Sequence, residues 1–391
     1  MTRIVSCDLV DAALENTGCV QRRVRVLPPR VVVYLLLAGA LFAEIGYRQV
    51  WARLVAGLGP AAVATPGSSA LSQALRCVGV APLRELFTLV RGPAVGAARW
   101  HGLLVCAIDG TSMFVPNSEA NATAFGRQTG RPDAESGYPM LRLLTVVGCG
   151  TRTVIDAVFG SYGIGETTYA PTLLRCLKPD MLLLADRNFA VTALVEQIAS
   201  AHANLLIRCK DTRVLPPIKI LPDRTWLARM GAVTVRVIDA RINVRLDGGS
   251  TRRGHYRLIT TLIDEKRYPA DELVRLYHQR WEIETSYLEL KSTILGGRVL
   301  RAATPAGLTQ ELYALLITYQ ALRTAIADTS LAHPTISPDR LSFTIALQAA
   351  RDQVVHAATA ITATTVDLIG RIGAALLNQP LPARRSRSSP E

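Results

Sequence analysis

Hydrophobic positions recur at helical spacing through the first hundred residues and switch to strand spacing after His101. Residues 31–43 form the longest apolar run, opened by Pro28-Pro29 and stopped by Glu44. That run is too short to cross a bilayer and predicts a buried helix. A second helix carries Tyr47, Val50, Trp51 and Leu54 and is closed by Gly57, Gly59 and Pro60. Residues 68–77 and 82–90 predict two short helices around a break at Val78-Gly79. This is the outline of a helix-turn-helix, although an ordinary helical hairpin has the same pattern.

From residue 103 the pattern predicts an alternating unit. Strands are expected at 103–108, ending in an Asp109-Gly110 turn, and at 141–148 and 154–159. A loop follows at 160–165, then a helix at 168–177 with Thr167 or Thr168 as its cap. A buried strand at 181–185 ends at Asp186, and a helix at 190–200 and a strand at 205–208 complete the unit. Three strands, helix, strand, helix, strand is a layered α/β or α+β arrangement. Between 210 and 255 the helical pattern disappears. Val233, Val235 and Val237 alternate with Thr234 and Arg236, and Asp247-Gly248 reads as a hairpin turn. Further helices are expected from about Ala270 and at 309–327, 337–350 and 364–377.

The chain therefore divides into an N-terminal helical unit (1–98), a core in two parts (99–209 and 256–330) separated by a β insertion (210–255), C-terminal helices (331–378) and a basic tail (379–391) holding Arg384, Arg385 and Arg387.

Composition narrows the function classes. Basic residues number 44 against 31 acidic ones, a net charge of +13, and hydrophobic residues make up 49%. This is a globular chain whose charge favours a polyanionic partner, most simply nucleic acid. The stretch 208–253 has eleven Lys and Arg against four Asp; Arg208 and Lys210 open it. Seven scattered cysteines with no C-x-x-C pair predict reduced thiols in a cytosolic protein, and neither they nor the six histidines have zinc spacing. No signal peptide is apparent.

The chemistry concentrates near residue 280. On a helix at about 100° per residue, Tyr277, Arg280, Glu284 and Lys291 fall within about 60° of one another. A carboxylate with two cations and a phenol on one stripe suits a site handling metal ions and phosphates. Asp109 and Asp186, each at the expected end of a strand, could meet Glu284 if the helix packs across the sheet. Three carboxylates can hold two hard divalent cations for in-line phosphoryl transfer. The competitors are displaced. Asp180 lies roughly 20 Å from Asp186 at the opposite edge, and Glu282 and Glu289 sit at about 140° and 120° on the wheel. Taken singly, Asp109 before Gly110 also fits a turn, and Asp186 also fits a helix cap.

These residues resemble a known family. The Tyr277–Lys291 pattern is similar to the Y-x2-R-x3-E-x6-K signature of the DDE transposases of the bacterial insertion-sequence-four family. Ala107-Ile-Asp-Gly-Thr111, followed by Pro116, Glu119, Asn121 and Phe125-Gly126, resembles that family's first aspartate block, and Ala185-Asp-Arg-Asn-Phe189 its second. Asn117 departs from the aspartate that many relatives carry there.

The resemblance, from about Val10 to residue 330, implies a ribonuclease-H-like core with a mixed sheet and Asp109, Asp186 and Glu284 as catalytic ligands. It implies Mg2+, two ions, with Mn2+ able to substitute. Tyr277, Arg280 and Lys291 would grip the phosphate of the element end, and Trp226 could receive a flipped base. The expected partners are the terminal inverted repeats and target DNA, bound by a homodimer in the bacterial cytoplasm at the nucleoid, with no membrane. A metal-dependent nuclease without strand transfer shares this chemistry. A non-cutting DNA-binding relative would keep the fold without the cleavage chemistry, and the complete set of Asp109, Asp186 and Glu284 speaks against it.

Overall fold

A computed structural model describes residues 4–20, 27–56, 65–128, 137–245, 251–357 and 368–382. The helix stop at Gly57–Pro60, the Asp247-Gly248 turn, the first residues of the helix expected at 364–377 and the arginine tail lie outside the described residues. The N-terminal region gives α1 (Cys7–Asn16), α2 (Pro29–Leu41), α3 (Tyr47–Val55), α4 (Ser68–Val78) and α5 (Ala81–Val90). Next come β1 (Arg99–Trp100), β2 (Leu103–Phe114), α6 (Glu119–Phe125), β3 (Met140–Gly148), β4 (Val154–Ser161), α7 (Glu166–Leu173), β5 (Met181–Ala185), α8 (Thr192–Ser200) and β6 (Asn204–Cys209). The basic stretch adds β7 (Lys219–Ile220), β8 (Trp226–Met230), β9 (Val233–Arg245) and β10 (Thr251–Thr260). The chain ends in α9 (Ala270–Tyr277), α10 (Trp281–Leu288), α11 (Pro305–Ala332), α12 (Phe343–Ala357) and α13 (Leu368–Asn378).

Among the described residues all ten strands join one sheet, ordered β4-β3-β2-β5-β6-β10-β9-β8-β7, with β1 beside β2. β4, β3 and β2 are antiparallel neighbours, and β5 and β6 continue parallel to β2. This α+β core is ribonuclease-H-like. The basic β segment extends that same sheet, because β10 pairs antiparallel with β6 through Leu258↔Arg208.

Side-chain alternation explains the layers. Val105, Ala107, Leu182 and Leu184 enter one hydrophobic cluster, shared with α1 to α5 and α11 to α13. Leu104, Cys106, Ile108, Leu183 and Ala185 enter a second, beneath α7 and α8. Buried on both faces, β5 is apolar without interruption. α11 is buried for most of its circumference and forms the axis of the helical layer, so its sequence has no polar face.

Two expectations are corrected. β2 does not turn at Asp109-Gly110. Its ladder with β3 runs on to Phe114↔Met140, so Asp109 sits inside a strand and only β5 stops beside it. α7 starts at Glu166 with Gly165 at its N-cap and no side-chain cap, not with a Thr167 or Thr168 cap.

Candidate active site

The parallel pairing of β2 with β5 ends at Ile108↔Ala185. The next residues, Asp109 within β2 and Asp186 just past the end of β5, therefore stand side by side at one level. Both follow the parity of Ala107 and Leu184, which faces the helical layer. Beyond this point β5 gives way to a 3-10 turn, Arg187–Phe189, capped by the Asp186 side chain, whose Oδ1 accepts from Asn188 N–H at 2.9 Å. Asp186 thus caps this short turn and not the helix that follows, since α8 starts at Thr192 with Val191 at its N-cap and no side-chain cap.

The segment carrying the third carboxylate is one continuous right-handed path with changing pitch. α9 tightens into a 3-10 turn at His278–Arg280, α10 follows, and Glu289–Ile294 widens into a π turn. π turns occur often at functional sites. Arg280 is buried and reaches both sides of the site. Its guanidinium lies 3.4 Å from Asp109 Oδ2 and 3.0 Å from Glu284 Oε1. Lys291, on the π turn, donates to Thr111 Oγ1 at 3.1 Å and to the Ser112 carbonyl at 3.2 Å, further along β2. Tyr277 is buried, and its hydroxyl donates to the Ala185 carbonyl at 3.1 Å, immediately before Asp186. Glu282 and Glu289 point away into a buried network. Glu282 lies against Arg152, and Glu289 against Arg152, Arg323 and Tyr319. Asp180 is at the far end of β5, with Arg99.

Other side chains enter that sequence reasoning missed. Tyr287 donates to the Asp109 carbonyl at 2.5 Å and accepts from Thr145 N–H at 3.2 Å, pinning β2 and β3 to α10. It lies at about 280° on the same wheel, beside the stripe, which was its signal. Glu166 enters from the opposite layer. It accepts from Arg142 Nη1 at 3.0 Å and from Asn188 Nδ2 at 2.9 Å.

Burial is the main cause that holds the Asp109 carboxyl up, at about 7. The Gly110 N–H and Arg280 oppose this, while the charges of Asp186 and Glu166 reinforce it. A desolvated carboxylate crowded by two others is the donor set of a hard divalent cation. Among the described residues no three such side chains already surround one point; Arg280 stands between Asp109 and Glu284. The residues fit a metal through Asp109 and Asp186, with Glu284 held one guanidinium away.

Of the remaining predicted residues, Lys210 is exposed and lines a cleft of ≈850 Å³ with Asp186, Arg187, Asn188 and Arg213. Arg208 is half-buried on β6 and stacks over the Tyr256 ring at 4.3 Å. Trp226 is three strands away from β6, about 14 Å at sheet spacing. Its indole N–H donates to the Leu215 carbonyl at 2.9 Å, and its ring packs on the second cluster.

A ribonuclease-H-like sheet presenting paired aspartates beside an Arg–Glu helix is an arrangement suited to metal-dependent phosphoryl transfer on nucleic acid. Comparison with known proteins specifies the family. The family described as insertion element 4 transposase N-terminal matches residues 1–88, and the transposase DDE domain matches residues 100–321. The chain belongs to the DDE transposase family: it is an insertion-sequence transposase, which cuts and transfers strands of DNA with divalent metal.

The transposase InsG for insertion sequence element IS4 of Escherichia coli is 27% identical over 359 residues, covering 86% of this chain and 78% of that protein. The putative transposase InsZ of Escherichia coli is 28% identical over 172 residues, 43% of this chain and 56% of that one. A cryo-EM structure of the piggyBac transposase synaptic complex with hairpin DNA aligns over 98% of this chain and 84% of its own at a TM-score of 0.48 and 11% identity. Among the described residues no helix is long and apolar enough to cross a membrane.

Proposed function

We infer that the protein cleaves at terminal inverted repeats and joins the freed 3'-hydroxyl to target DNA, with Asp109, Asp186 and Glu284 as the metal-holding carboxylates. The observation that carries this reading is the pairing that ends at Ile108↔Ala185 and sets Asp109 beside Asp186, with Arg280 reaching from Asp109 to Glu284. Mg2+ suits all-oxygen donors, two ions would fit three carboxylates, and Mn2+ can substitute. Bound there, the metal supplies activation of the attacking oxygen and stabilisation of the leaving one.

The protein's own groups do the rest. Arg280 places one positive charge between two carboxylates and spaces them. Tyr277 ties the helix to the last carbonyl of β5, so the helix and Asp186 keep one register. Lys291 lies along β2 past Asp109, where a phosphate of the element end would run, and an ammonium suits that contact. Lys210, at the cleft beside Asp186, extends this basic path, and Arg208 supports it from β6. Trp226 is the base-stacking candidate whose indole is already engaged, which favours its packing role. The helices α4 and α5 are the proposed DNA-reading pair of the 1–98 unit. The active form is a homodimer on DNA, in the cytoplasm at the nucleoid.

The test is Glu284→Gln on a substrate carrying the element's terminal repeats. We expect strand cleavage to vanish while end binding persists; metal-dependent cutting by this variant would remove Glu284 from the catalytic set.

A further inference from the structure

Glu166 occupies a position that the three-carboxylate scheme leaves unexplained. It is the first residue of α7, on the layer opposite α10, and its side chain lies over Gly110 and against the turn that follows Asp186. Each carboxylate oxygen has one partner. Oε1 accepts from Arg142 on β3, and Oε2 accepts from Asn188, which stands in the turn capped by Asp186. Arg142 is itself fixed by the Tyr162 carbonyl at 3.1 Å and by stacking over the Tyr162 ring at 4.8 Å. Gly110 leaves room for this side chain. A Cβ built on Gly110, next to Asp109, would stand 2.4 Å from Glu166 Oε1 and 2.5 Å from its carboxyl carbon. Gly110 has ordinary strand dihedrals, so its lack of a side chain serves this close approach and not a turn.

The geometry points to Glu166 as a positioning residue for the transposition reaction: by bridging Arg142 and Asn188 across Gly110, it holds the turn after β5 against β2 and so fixes Asp186 beside Asp109. This rests on the metal-binding reading of those aspartates. A side chain that orients a ligand is worth a large part of metal affinity without touching the metal. The bridge is rigid because each partner is anchored elsewhere: Arg142 in the β3 ladder and on Tyr162, Asn188 through its own N–H on Asp186. Removing Glu166 leaves Arg142 its Tyr162 contacts, so the fold does not depend on it.

The experiment measures Mn2+ binding to the full-length, DNA-free protein by calorimetry, with thermal unfolding recorded for every variant. Glu166→Ala should weaken Mn2+ about 10–100-fold while unfolding close to wild type. Asn188→Ala should do the same, and the double variant should be no worse than either single one, because both remove one linkage. Gly110→Ala, which deletes no ligand, should reproduce the loss by displacing Glu166. Glu166→Gln should recover part of the affinity, since its amide can still accept from Arg142 and donate to a reoriented Asn188 side chain.

Wild-type affinity in Glu166→Ala, or additive losses in the double variant, would overturn the inference. Asp186→Asn separates the two readings. Binding lost there but kept in Glu166→Ala sinks only the role of Glu166, whereas no binding by the wild-type protein, or equal binding by Asp186→Asn, sinks the aspartate site and this inference with it.

Discussion

Glu289→Ala tests what holds the Arg280–Lys291 helical segment in place. Glu289 opens the π turn that carries Lys291 and is buried on the side away from the site. Its carboxylate accepts from Arg323 Nε at 2.9 Å, from Tyr319 Oη at 3.2 Å and from Arg152 Nη1 at 3.3 Å, with a second, shorter contact to Arg323. Arg152 would keep Glu282 and Asp339 after the substitution. Arg323 would not be compensated in that way. It is 2% exposed and would be left with its charge facing the Tyr319 hydroxyl and the Phe343 ring. Removing one partner of a buried ion pair costs about 3–5 kcal/mol, which is roughly a hundredfold or more in the folded-to-unfolded ratio. Urea titration of the full-length protein reads this directly. Replacing both partners, as in Glu289→Met with Arg323→Met, should restore most of the stability, because apolar groups of similar volume replace the pair without stranding a charge. A loss below about 1 kcal/mol for Glu289→Ala, or a double variant no better than the single, would refute the claim that this network is buried and mutually dependent.

Three further outcomes are expected. Asp109 is raised to about 7 from 3.8, so the folded protein holds a proton that the unfolded chain gives up. Its stabilising effect on the metal-free protein is full below about 4 and is lost as pH rises through about 7. Divalent affinity should rise over that same window, and calorimetry showing the same pH slope in Asp109→Asn would refute the assignment. Lys291→Ala should reduce the slope of log affinity for an element end against log salt by about one; an unchanged slope in a filter-binding series would mean no phosphate contact. Tyr287→Phe removes a donor to the Asp109 carbonyl and an acceptor for Thr145 N–H, which should cost about 1–3 kcal/mol in urea titration and lower the cleavage rate; full retention of both would show that the hydroxyl is dispensable.

The carboxylate pair was readable because β5 is short and apolar throughout, so its end at Asp186 could be placed from the sequence. Asp109 was readable as a site residue for a different reason than expected. The Asp-Gly pair reads locally as a turn, but the antiparallel ladder to β3 continues to Phe114, and tertiary pairing overrides the local preference. The stripe on the late helix was visible at uniform pitch, yet the path tightens before Trp281 and widens after Leu288, and no periodicity at 100° reports such changes. The same limit hid what the stripe residues touch. Tyr277 and Arg280 share a face, but one ends on a β5 carbonyl and the other on two carboxylates, because burial, not angle, decides whether a polar tip meets backbone or charge. Glu166 was invisible for a stricter reason. It belongs to another layer and lies where a Cβ on Gly110 would stand, so its signal is an empty volume, which one sequence cannot display. The parts that were legible are those set by repeats along one element. The parts that were missed are contacts between layers, where polar groups around the two aspartates come from both faces of the sheet at once.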